Sequence, residues 1–221
     1  MKKRTRLADR ALPHYTIAEE IANTLTHTAG FLFGIAALIL CLARSKSSIA
    51  IAASAVYGSS LILLYAVSSI YHSLKPSLGK KVLQVIDHCT IYLLIAGSYT
   101  PVVLIALMPV YPQVGWGLFV LEWALSALAT TLTAIDLKKY SMLSMVFYIG
   151  LGWAIFPFLP QTVQVLGPRG FGFLLVGGIC YSLGAILYGI GSKVPWMHSV
   201  FHIFVVAGSV FQFVAIYNHV L

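Results

Sequence analysis

Residues 21–43 read IANTLTHTAGFLFGIAALILCLA, with no Lys, Arg, Asp or Glu among them. An α-helix rises about 1.5 Å per residue, so roughly 20 apolar residues cross the hydrocarbon of a bilayer. This stretch is long enough, and most of the chain repeats it. Gly170–Ser192 is a run of the same kind, and Ser47–Leu74, Tyr140–Pro168 and Val194–Leu221 are longer. His88–Leu121 exceeds one crossing and breaks at Pro109-Val110-Tyr111-Pro112, and Val114–Ile135 follows with Glu122 in its middle. The reading is all-α: a polytopic seven-transmembrane-helix bundle with helices near 20–43, 48–73, 84–108, 114–135, 141–160, 170–191 and 196–218.

Composition agrees. Of 221 residues, 59% are hydrophobic and 9% charged, and the mean hydropathy is +0.90. Soluble domains carry about 25% charged residues, and a compact body of this size cannot hide so much apolar surface from water. The first run is too long for a cleaved signal peptide and lacks a small-residue cleavage pattern. No linker or repeat divides the chain, so 1–221 is read as one transmembrane domain, with 1–19 a short basic cytoplasmic segment. Cys41, Cys89 and Cys180 are odd in number and set among apolar residues, as buried free thiols are.

The net charge is +8, yet its distribution excludes nucleic acid as the partner. With the N-terminus inside, one side holds Lys2, Lys3, Arg4, Arg6, Arg10, Lys75, Lys80, Lys81, Lys138, Lys139 and Lys193, and the other only Arg44, Lys46 and Arg169. That asymmetry is the positive-inside bias. It places the N-terminus in the cytoplasm and the C-terminus outside. The basic residues then face anionic lipid headgroups.

Ionisable residues inside a membrane need a partner or a purpose. His72 closes helix 2, Asp87 opens helix 3, and His198 and His202 lie in the first two turns of helix 7. Glu20, Asn23 and His27 lie in the first two turns of helix 1. All are expected at the same, cytoplasmic, leaflet. His198 and His202 are four residues apart and share a helix face, a spacing that lets two imidazoles hold one metal. His72 is the candidate third ligand, with Ser68 one turn before it. Zinc held by three protein ligands keeps a fourth position for water, for which Asp87 is a natural partner. Glu20, Asn23 and His27 form one stripe that can support the ligands; Glu20 can instead cap helix 1. His88 points about 100° away from Asp87 and is read as a packing or hydrogen-bonding residue. His14 and His219 are expected at solvated ends. Glu122 is most simply a neutral carboxylic acid in mid-membrane, with a proton or substrate role left open.

The segments EEIANTLTH (19–27), SSIYH (68–72), DHCTIYLLIAGSYTP (87–101) and HSVFH (198–202) together resemble the bacterial haemolysin III proteins. These are grouped with the adiponectin and progestin receptors in one seven-helix membrane family. The resemblance spans essentially the whole chain. It implies a zinc ion near the cytoplasmic face, held by His72, His198 and His202, with Asp87 on its water, Ser68 beside it, and Glu20, Asn23 and His27 supporting. The family is also similar to membrane-embedded amide hydrolases such as alkaline ceramidases. It further implies the plasma (inner) membrane of a bacterium and an acyl-lipid substrate or ligand. Three functions compete: a zinc-dependent hydrolase of a lipid amide or ester linked to membrane homeostasis, a non-catalytic regulator with structural zinc, and a pore. The pore is weakest, because the polar residues crowd one leaflet and form no path across. The chain lacks the long N-terminal region of the receptors, which argues against receptor signalling.

Overall fold

The computed structural model describes residues 5–191 and 194–221, and these are helical nearly throughout, with no strand among them. Lys2, Lys3, Arg4 and Lys193, counted above in the charge asymmetry, lie outside the described residues. The α-helices are α1 (Ile17–Arg44), α2 (Ser48–Ser73), α3 (Leu78–Pro101), α4 (Pro112–Ile135), α5 (Ser141–Gly152), α6 (Leu159–Gly191) and α7 (Met197–His219). Among the described residues six stretches are long and apolar enough to cross a membrane, and α5 and α6 fall within a single one of 51 residues. Large apolar side chains such as Ile17, Leu25, Leu32, Ile39, Val120 and Ile203 project outward from the helices, as a lipid-facing surface requires. All three cysteines are free.

Helix starts follow local chemistry. Thr16 caps α1 in a capping box: its hydroxyl accepts the Glu19 N–H, and the Glu19 side chain accepts the Thr16 N–H. Ser47 and Ser77 cap α2 and α3 by their hydroxyls alone, which accept the Ala50 and Lys80 N–H groups. The Ser77 cap starts α3 at Leu78, six residues ahead of the expected 84, so Lys80 and Lys81 belong to its first turn.

Prolines account for the other differences. Pro101 has no N–H for the Gly97 carbonyl, and the chain continues as a π-helical turn over Val102–Leu107. The expected helix 141–160 stops at Gly152, because Pro157 and Pro160 cannot donate to the carbonyls of Trp153 and Phe156. A short 3₁₀ turn, Phe156–Phe158, fills the gap. α6 then begins earlier than the expected 170, and it is broken at Gly167, whose φ of 70° and ψ of 165° relieve the clash Pro168 would cause. The second half of α6, 168–191, is the helix read from the sequence.

The bundle closes through small residues. A Cβ on Gly58 would lie 2.8 Å from the Leu38 Cα, and one on Gly115 2.7 Å from the Met108 Cα. Glycine at these two points lets backbones touch, as helix pairs in lipid require. A core of Tyr57, Leu61, Tyr65, Val103 and Ile216 fills the interior. The start of α1, the end of α2 and the starts of α3 and α7 meet at one end of the bundle, where the polar residues collect.

Candidate metal centre

His72 sits one residue before the end of α2, and His198 and His202 sit in the first two turns of α7. The structure brings the three together: one ring nitrogen from each lies within 4.8 Å of the others, and all three residues are buried. The Nε2 atoms of His72 and His198 are 3.4 Å apart.

The opposite ring nitrogens define the tautomers. His72 Nδ1 is 2.7 Å from Glu20 Oε2, and His202 Nδ1 is 3.2 Å from the Asn23 carbonyl. A carboxylate and a carbonyl only accept, so both histidines carry a proton on Nδ1 and leave Nε2 with its lone pair. A separation of 3.4 Å is long for an N–H···N hydrogen bond. It matches two Zn–N bonds of about 2.05 Å meeting at a tetrahedral angle, which span roughly 3.4 Å. The donor set therefore fits a cation suited to imidazole ligands, with zinc among them.

The surrounding polar groups tie α1 to this cluster. Glu20 Oε1 accepts from Lys80 Nζ at 2.5 Å, while Oε2 holds His72. Asn23 Oδ1 accepts the Ser199 hydroxyl at 2.6 Å, and its Nδ2 lies 3.4 Å from His72 Nδ1. Thr26 Oγ1 is 3.3 Å from His202 Nδ1. His27 stacks on His202, with ring centroids 3.6 Å apart and planes within 8°; neither of its nitrogens has a hydrogen-bond partner among the described residues. The first-helix stripe thus stands directly behind the ligands.

One alternative is corrected. Glu19, not Glu20, caps α1. The same Glu19 carboxylate accepts the Trp196 backbone N–H at 2.7 Å, at a residue held in the left-handed region with φ 67°. Such a conformation is strained for tryptophan, and it turns the chain into α7 so that His198 and His202 face α2.

Asp87 is not one of the clustered ligands. It lies with His88 and His198 in the wall of a cavity of about 1710 Å³, counting its open mouth. Ser68, one turn before His72, is buried and faces Asp87 without a hydrogen bond of ordinary length. Tyr15 stacks on His198 at 4.9 Å between centroids and also lines the cavity. From His198 the cavity runs past Tyr99 and Leu174 to Gln212, fourteen residues or about 20 Å along α7. Its wall is mostly apolar beyond the histidine end. His88 lines it too, with its ring against Tyr188 and its carbonyl taking the Tyr148 hydroxyl, and it is not one of the three clustered histidines. Glu122 lies elsewhere, fully buried in α4, and neither carboxyl oxygen has a partner among the described residues. His14 is exposed, whereas His219 is partly covered by Phe173.

Five contributors were not singled out from sequence: Glu19, Lys80, Ser199, Thr26 and Tyr15. The spacing Thr16-x-x-Glu19 carries a capping-box signal. The others have none, because their roles exist only once α1, α3 and α7 are packed.

Comparison with known proteins gives a consistent result. The family model described as haemolysin-III related matches residues 15–213. Hemolysin-3 of Bacillus cereus is 36% identical over 208 residues, covering 93% of each chain. The hemolysin-3 homolog of Bacillus subtilis (strain 168) is 37% identical over 202 residues, 90% of this chain and 93% of that one. The human monocyte to macrophage differentiation factor is more distant, at 28% over 172 residues, 74% of this chain and 68% of its own.

Proposed function

The chain belongs to the haemolysin-III-related family of multi-pass membrane proteins, and on that footing we propose that it is a zinc-dependent hydrolase of a lipid amide or ester. His72, His198 and His202 would hold the ion. The observations that carry this reading are the Nε2 atoms of His72 and His198 3.4 Å apart and the rings of His72 and His202, each directed by an acceptor behind its Nδ1. A bound zinc ion supplies Lewis acidity, which polarises a carbonyl and makes a water nucleophilic near neutral pH.

The chain's own residues supply the rest. The long apolar cavity takes the acyl chain, leaving its carbonyl at the histidine end. Asp87 accepts a proton from the attacking water and passes it to the leaving amine or alcohol, so that the carbonyl–heteroatom bond is exchanged for a carboxylic acid. Ser68 steadies the Asp87 carboxyl. Tyr15, stacked on His198 in the cavity wall, limits access of bulk water to that end.

The basic residues support an orientation with the N-terminus cytoplasmic and the C-terminus outside, after seven crossings. The 51-residue stretch Ser141–Gly191, which contains α5 and α6, is long enough for two of these. The site then faces the inner leaflet of the bacterial plasma membrane, and a role in membrane lipid homeostasis follows from a lipid substrate. Metal analysis of the purified protein tests the ion, with about one zinc per chain expected. Asp87→Asn tests the chemistry: it should retain zinc while turnover of acyl amides or esters falls by roughly 10²–10⁴-fold, the usual worth of a general base. A second reading, a regulator with structural zinc, is favoured by the supporting shell from α1. It prevails if zinc-loaded wild-type protein hydrolyses nothing across a broad lipid panel.

A further inference from the structure

Lys80 occupies a place that its sequence context does not explain. It is the third residue of α3, in the first turn, where the helix dipole disfavours a cation. A lysine that serves only membrane orientation keeps its ammonium in water or among headgroups. Lys80 is instead 3% exposed, while Lys75 nearby is exposed and Lys81 is only partly covered. Burying an ammonium is costly unless it is paired and hydrogen-bonded. Lys80 meets that cost with Glu20 Oε1 at 2.5 Å, the Leu74 carbonyl at 2.8 Å and the Tyr71 ring at 5.2 Å.

The Glu20 contact gives the placement a purpose. The two carboxylate oxygens divide between two donors from different helices: Oε1 to Lys80 on α3, Oε2 to His72 on α2. With Oε1 held, rotation of the carboxyl is stopped and Oε2 is aimed at Nδ1. We propose that Lys80 is a positioning residue for the histidine cluster: acting through Glu20, it fixes His72 with its proton on Nδ1 and Nε2 turned toward His198. The Leu74 carbonyl lies two residues beyond His72, so the same ammonium also ties the end of α2 to α3. The proposal rests on the metal-centre reading, but its first consequence is a property of the metal-free protein.

Two readouts test it in the full-length protein. In metal-free protein, ¹⁵N NMR of the histidines should show His72 as the Nδ1–H form in wild type. Lys80→Met should turn it into a mixture of both tautomers, and Lys80→Arg should restore it. In zinc-loaded protein, competition with a chelator should show about tenfold weaker retention for Lys80→Met, the scale of losing support behind a ligand. Adding Lys80→Met to Glu20→Gln should change retention less than about twofold, because the two act as one unit. Lys80→Gln serves if Lys80→Met does not accumulate. An unchanged His72 tautomer in the Lys80 variants overturns the proposal, as does a full additional loss in the double variant. Wild-type protein that binds no zinc overturns the metal-centre reading instead, and the tautomer measurement then still decides the role of Lys80.

Discussion

Asn23 is the residue on which α1, α2 and α7 converge, and Asn23→Ala separates its two duties. The side chain is fully buried. Its Oδ1 accepts the Ser199 hydroxyl at 2.6 Å, and its Nδ2 sits 3.4 Å from His72 Nδ1. The first is a short buried hydrogen bond; the second brings two donors together, since His72 Nδ1 carries its proton, and is not a hydrogen bond. Removing the amide leaves a buried serine hydroxyl without its acceptor, at a cost of about 1–3 kcal/mol. For a chain of this size that lowers the unfolding midpoint by several degrees. The His202 ring, however, is held by the Asn23 backbone carbonyl, which alanine retains. His72 keeps its stronger bond to Glu20. The expected outcome is a clear loss of stability with zinc retention weakened far less than by His202→Ala. Thermal unfolding in detergent and chelator competition measure the two effects separately. If Asn23→Ala empties the site as completely as His202→Ala, the amide is itself a ligand, and the division between first-helix support and histidine ligation is wrong. Ser199→Ala in the Asn23→Ala background should add almost nothing, because the pair shares one bond.

Three further outcomes are expected. His72→Ala, His198→Ala and His202→Ala should each strongly weaken zinc retention in a metal assay, whereas His88→Ala should leave it in place, since its ring packs on Tyr188 and it is not one of the clustered ligands. A reporter active only outside the cytoplasm should work when fused after Leu221 and fail when fused before Met1, and the reverse pattern would move the whole site to the outer leaflet. Asp136, just beyond α4, accepts N–H groups from Lys139 and Thr5, which with Arg10 hold its carboxyl below the usual range. A lowered value means that the anchor of the N-terminal segment is complete above about pH 4 and is lost as pH falls through the folded-state value. Hydrogen exchange over residues 5–10 should therefore rise in acid, and Asp136→Asn should flatten that dependence.

What the sequence disclosed, and what it withheld, divides along a physical line. Features set by one helix were readable. Uninterrupted apolar runs located the stretches able to cross, six among the described residues where seven helices were read, and the four-residue spacing of His198 and His202 placed them on a shared face. Common depth on α2 and α7 brought His72 to them. Features set by breaks in one helix were partly readable: Pro101, Pro157 and Gly167-Pro168 were in plain sight, but a crossing was counted through the first two, and the third was placed in a connection where α6 instead bends. A proline in lipid removes one donor without ending the crossing, so the chain can respond with a π turn, a 3₁₀ turn or a left-handed glycine, and composition does not choose among them. Contacts between helices were unreadable one by one. Lys80 looked like any basic residue at a membrane boundary, and Glu19 and Glu20 looked interchangeable. Yet successive residues on a helix point about 100° apart, and that angle sends Glu19 to Trp196 and Glu20 to His72 and Lys80. Glu122 marks the limit from the other side. Its burial was legible from position alone, and the packed bundle supplies it no hydrogen-bond partner among the described residues. The histidine cluster therefore does not account for every costly polar group in the membrane, and the Glu122 carboxyl lies on α4, outside the cavity lining.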